Sequence, residues 1–157
     1  MSLFFVGYQV LLQRRQVRDH VAVEGYKLYH QLAQQYIALL IRSDSDPALN
    51  CIWEPPDEKR RRVLDKAQRS RTWGAWYKMN PVEQRCYRLV RSALETFEQT
   101  YQLHQKGWID DGTWAKWRSR LDAWRNVRYF EYVLADTRPR LVMGFAMELD
   151  LSPKAST

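Results

Sequence analysis

The sequence predicts an all-α protein: a helical bundle of four main helices, with a long N-terminal helix and short accessory helices. Three observations carry that reading. Between Leu3 and Arg42 only Gly7 and Gly25 weaken a helix, and Val21, Gly25, Leu28, Leu32, Tyr36 and Leu39 recur at helical spacing. Asn80-Pro81-Val82-Glu83 is a full start signal: a capping residue, proline at the first helical position, and glutamate three residues after the cap. No stretch alternates apolar and polar residues for long enough to make a strand.

Each element has its own local reason. Ser43-Asp44-Ser45-Asp46-Pro47 ends the long helix, and Asp46 is expected to cap a short one from Pro47 to about Trp53. Glu54-Pro55-Pro56 closes that piece. Asp57 to about Arg71 reads as a polar helix with only Val63, Leu64 and Ala67 to bury, so it is expected to be mobile or partner-dependent. Thr72 to Tyr77 reads as a loop or a second short helix. The helix that starts at Pro81 carries Cys86, Leu89, Val90, Ala93, Phe97, Tyr101 and His104 and stops at Gly107, with Trp108 expected to fold back on Leu103. Asp110 caps the next, whose Trp114, Trp117, Leu121 and Trp124 form a seam. Val127 to Ala135 continues or restarts it, and a last amphipathic helix is expected from Pro139 through Leu141, Val142, Phe145 and Leu149.

A chain of 157 residues, 45% hydrophobic and 27% charged, fits one folded domain. Three regions are expected: an apolar and basic N-terminus over 1–18, a helical domain over 19–151, and a polar tail over 152–157. Within the domain, 57–78 reads as a basic aromatic insertion. The net charge is +7, and 57–78 holds much of the excess. Its basic patch is Lys59, Arg60, Arg61, Arg62, Lys66, Arg69 and Arg71, which favours an anionic partner. Two cysteines, Cys51 and Cys86, are too few for a disulfide framework, so both are expected to be reduced, buried thiols.

Leu3 to Leu12 is apolar, and Arg14, Arg15 and Arg18 follow at once. A span takes roughly 20 apolar residues, so the run reads as half a membrane helix with a basic collar. A signal peptide is not expected, because the charge follows the apolar run instead of preceding it. Leu3, Phe4, Phe5 and Tyr8 with the three arginines are therefore the candidate membrane or partner contacts. Trp73 and Trp76, interleaved with Arg71 and Lys78, are candidate partner aromatics. No catalytic residue, metal ligand set or cofactor motif is expected: His20, His30 and His104 lack metal spacing, and phosphate loops and nucleophile elbows are absent.

Several segments resemble a diffuse group of uncharacterised bacterial proteins with an N-terminal membrane helix and a cytoplasmic all-helical domain. They are Gln13-Arg14-Arg15-Gln16-Val17-Arg18, Ser45-Asp46-Pro47-Ala48-Leu49-Asn50-Cys51-Ile52-Trp53, Phe97-Glu98-Gln99-Thr100-Tyr101, Lys106-Gly107-Trp108-Ile109-Asp110 and Trp114-Ala115-Lys116-Trp117. The resemblance implies no catalytic residues. The expected function is a non-enzymatic interaction or accessory subunit, located at the cytoplasmic face of the inner membrane or in the cytoplasm. Its expected partner is a protein or membrane complex, with anionic lipid and a homodimer as further partners. The alternative is a nucleic-acid-binding module using 57–78.

Overall fold

The structure, a computed structural model, describes residues 3–53, 57–69 and 75–151. Side chains at 3–11, 18, 51, 75 and 151 lie outside that description. Six α-helices follow one another among the described residues: α1 (Leu3–Ser45), α2 (Glu58–Arg69), α3 (Pro81–Gln105), α4 (Asp111–Trp124), α5 (Phe130–Thr137) and α6 (Met143–Leu151). Short 3-10 turns occupy Pro47–Ile52, Ala75–Lys78 and Arg138–Arg140. The all-α class holds, with six helices among the described residues where the sequence reading counts four main helices and short accessory ones.

The core forms where α1, α3 and α4 meet. Tyr36, Phe97 and Trp117 pack edge to face, with ring centroids 5.5, 5.1 and 5.8 Å apart. Such pairs contribute about 0.5–1.5 kcal/mol each beyond the area they bury. Trp124 Nε1 donates to the Tyr36 hydroxyl at 3.1 Å, so a phenol buried among rings keeps a partner. Trp114, Trp117, Leu121 and Trp124 are all buried, as their spacing predicts.

The helix ends follow their local chemistry. Asp46 Oδ1 accepts from Ala48 N at 3.0 Å and starts the Pro47–Ile52 turn. The Asn80 side chain accepts from Glu83 N at 2.9 Å while Glu83 Oε2 accepts from Asn80 N at 2.8 Å, a complete capping box. Asp110 accepts from Thr113 N at 2.7 Å. At the end of α3, Trp108 N donates to Leu103 O and Gly107 N to His104 O, with Gly107 at φ 68°. This is a Schellman motif, and glycine suits it because a Cβ is disfavoured at positive φ.

Trp108 also does something its sequence position does not reveal. Its indole lies against Gly25, where a Cβ would stand 2.8 Å from the ring. Gly25 is therefore the docking notch for α1. Trp108 meets Gly25, Tyr36 meets Phe97, and Leu39 and Arg42 share a cleft with Arg85 and Leu89. Helix α1 thus runs antiparallel to α3.

Of the 57–71 segment expected to be mobile or partner-dependent, the described residues form α2, which is packed against the rest of the chain. Leu64 is fully buried and Ala67 nearly so, although Val63 points outward. Polar anchors do the rest. Arg60 Nε donates to Glu83 Oε1 at 2.8 Å, and a second guanidinium nitrogen pairs with Glu83 Oε2. Asp65 accepts from Tyr132 Oη at 2.6 Å, and Gln68 donates to Asp136 at 3.0 Å. A short apolar stripe suffices when buried ties reach two other helices. The final helix also differs from expectation. Pro139 lies in the Arg138–Arg140 turn, and α6 begins at Met143 with Phe145 and Leu149 buried and Val142 exposed.

Two outcomes follow. Gly25→Leu must push Trp108 aside and should lower stability by about 1–3 kcal/mol in urea denaturation; unchanged stability would refute the notch. Burial pushes the Glu83 carboxyl up, but hydrogen bonds from Arg60 and from Asn80 N outweigh it and hold the carboxyl below its ordinary 4.5. Its contribution is therefore present above pH 4.5 and lost as the pH falls below that value. Glu83→Gln should cost about 2 kcal/mol at pH 7 and flatten the acid limb of a Tm–pH profile.

Candidate functional site

The described side chains of the first half of α1 make no part of the core. Positions 12–17 and 19–23 are all exposed, and the first buried residue among the described side chains of the helix is Gly25. At about 1.5 Å per residue, the segment from 3 to 24 extends roughly 30 Å past its docking notch. Leu12, Val17, Val21 and Val23 are exposed on it, with Val17 63% accessible. Val17 and Val21 stand one turn apart on the arm, on a face that Glu24 shares, so its exposed apolar residues are scattered among polar ones. Arg14 and Arg15 stand exposed on the same arm. The contacts expected at Leu3, Phe4, Phe5, Tyr8 and Arg18 lie outside the described side chains. No helix among the described residues is long and apolar enough to cross a membrane.

The expected basic patch is only partly a surface. Lys59, Arg61, Lys66 and Arg69 are exposed on α2. Arg60 is not available in that way, because its guanidinium is committed to the buried Glu83 and to the Lys78 carbonyl. Arg62 pairs with Glu58 one turn earlier. Arg71 lies outside the described residues, as does Trp73.

Trp76 is half-buried. It packs at 5.2 Å against Tyr87, and the Arg88 guanidinium stands 5.1 Å above its ring. Together with Tyr77, Arg91, Asp136 and Arg140 these residues line an open cavity of about 730 Å³ between α3, α5 and the neighbouring turns. Asp136 accepts from Tyr87 Oη at 2.5 Å and from Gln68 Nε2 at 3.0 Å. Burial, with the hydrogen bond to Asp136, pushes the Tyr87 hydroxyl far up and keeps it a neutral donor. Near the α2 anchor, burial likewise pushes the Tyr129 hydroxyl up to about 12. The sequence reading found Trp76 but missed this cavity. Arg88 and Arg140 stand 52 positions apart, and no local pattern joins them.

His104 Nε2 meets Asp111 Oδ1 at 2.9 Å, and the ring stacks on Trp114 at 5.6 Å. The contact sits at a helix start with Asp111 fully in solvent, so nothing encloses a reacting atom. No group of metal-ligating side chains large enough to hold an ion occurs among the described residues.

The cysteine expectation is overturned. Cys86 is disulfide-bonded, and no free cysteine occurs among the described residues. The residue is wholly buried, and the short loop carrying Cys51 packs against α3, which a pattern of side-chain spacing does not reveal.

The fold and these surfaces define a class: a small all-α protein with one over-long helix that leaves the bundle. No protein-family model, no curated protein and no solved structure matches the chain.

A disulfide contributes about 2–4 kcal/mol in a fold of this kind. Reductant should therefore lower the urea midpoint of the wild-type protein and leave that of Cys86→Ser unchanged. Equal response of the two proteins to reductant would contradict the bond.

Proposed function

We propose that the protein is a non-enzymatic accessory subunit held at a membrane surface by the projecting half of α1. The observation that carries this reading is the exposure of positions 12–17 and 19–23 on a helix that continues into the core. A bare helix that exposes Leu12, Val17, Val21 and Val23 gains nothing in water. It becomes useful against an interface or a partner helix, where those side chains are covered at about 25 cal/mol per Å². Arg14 and Arg15 add attraction to anionic headgroups of about 1 kcal/mol each near the surface. The basic collar favours the cytoplasmic face. That placement requires the Cys86 disulfide to be open in the cell, because cytosolic thiols are kept reduced.

Fractionation of cells expressing the full chain tests the reading. The protein should sediment with membranes at low salt, and deletion of residues 1–12 should release it. Full recovery in the soluble fraction, unchanged by the deletion, would sink the proposal. Alkylation of cysteines in intact cells before lysis tests the side: blocked thiols support the cytoplasmic face, and thiols reactive only after reduction overturn it.

A further inference from the structure

We infer that the cavity around Arg88 is a binding site for a nucleoside phosphate. It rests on a convergence that the attachment of α1 does not involve. Three arginines reach the cavity from two elements: Arg88 and Arg91 from α3, and Arg140 from the turn before α6. The carboxylates on its wall are already engaged. Glu95 pairs with Arg91 at 2.9 Å, and Asp136 accepts two hydrogen bonds, from Tyr87 and Gln68. Arg88 and Arg140 form no ion pair with any described carboxylate, whereas Arg138, two residues from Arg140, is paired with Asp150. Asp136 keeps its charge, since both of its donors are neutral, but three guanidiniums against two carboxylates leave the wall net positive, which favours an anion, and guanidinium geometry suits phosphate oxygens.

The size and walls of the cavity specify more than an anion. About 730 Å³ exceeds what phosphate alone fills and lies in the range of small-molecule sites. Tyr77, 63% accessible, and Trp76 supply aromatic surface on the same wall. A planar base against Tyr77, with its phosphate toward Arg88 and Arg140, uses both features. A second cleft, lined by Arg42 and Arg85, shares Arg88 and Ser92 with the first, so the basic surface continues along α3.

A lipid headgroup offers the same phosphate but carries no planar base to lie against Tyr77. The ligand is therefore a free nucleotide, and loss of AMP or GMP binding with pyrophosphate binding kept in Tyr77→Ser separates it from a headgroup.

Calorimetric titration of the full chain at 50 mM and 200 mM salt tests this with AMP, GMP, pyrophosphate and a twelve-nucleotide single-stranded RNA. Saturable binding of a mononucleotide is expected, weaker at the higher salt. Arg140→Glu should reduce it by roughly tenfold or more, as loss of a charged hydrogen bond does. Tyr77→Ser should weaken AMP or GMP and leave pyrophosphate unaffected, a split that general unfolding does not produce. A melting curve on each variant identifies any that fails to fold, and Arg88→Gln then replaces it. The inference is overturned if no nucleotide binds at 50 mM salt. It is equally overturned if Arg140→Glu and Arg88→Gln bind as wild type, or if only the RNA binds and does so with steep salt dependence.

Discussion

The contact on which the bundle depends is the meeting of Tyr36, Phe97 and Trp117. One ring comes from each of α1, α3 and α4, and their edge-to-face geometry fixes the separations of three helices at once. Trp124 adds a hydrogen bond to the Tyr36 hydroxyl, which sets the rotation of α1 as well as its distance. Without that node, α1 is a long helix whose sequence is almost evenly mixed around its axis. With it, and with the Gly25 notch against Trp108, the second half of α1 becomes a core element and the first half is left as an arm.

Smaller elements attach to this frame by polar ties in addition to apolar area. Helix α2 has few residues to bury, and it is fixed by Arg60 on Glu83 and by Asp65 under Tyr132. Glu83 serves twice, as the third residue of a capping box and as the counter-ion of Arg60. Helix α6 is held by Phe145 against Tyr101 and by the Arg118–Glu148 ion pair at 3.1 Å. The same economy shapes the surface. Arg60 is consumed within the fold and Arg62 pairs with Glu58 on the α2 surface, while Arg88 and Arg140 face a cavity.

A molecule with an arm at one end and a basic cavity at the other has its two faces separated by the length of the α1–α3 pair. Antiparallel packing imposes this. The Gly25 end of α1 meets the C-terminal end of α3, and the Arg42 end meets the α3 start. Attachment and ligand binding, as proposed, would then proceed without competing for the same surface.

The sequence by itself determined whatever depends on neighbours within about a turn. The caps at Asp46, Asn80 and Asp110, the Gly107 stop and the tryptophan seam of α4 were all legible there, because capping and periodicity are local. Residues brought together across the chain were not legible. Spacing gave no reason for Gly25 to face Trp108, for Cys86 to be bonded, or for Arg60 to seek Glu83 in place of solvent. It misread α2 as loosely held because its stabilising partners lie in α3 and α5. Only the tertiary structure decided which cations stay exposed, since a guanidinium is spent or spared by carboxylates that packing places beside it.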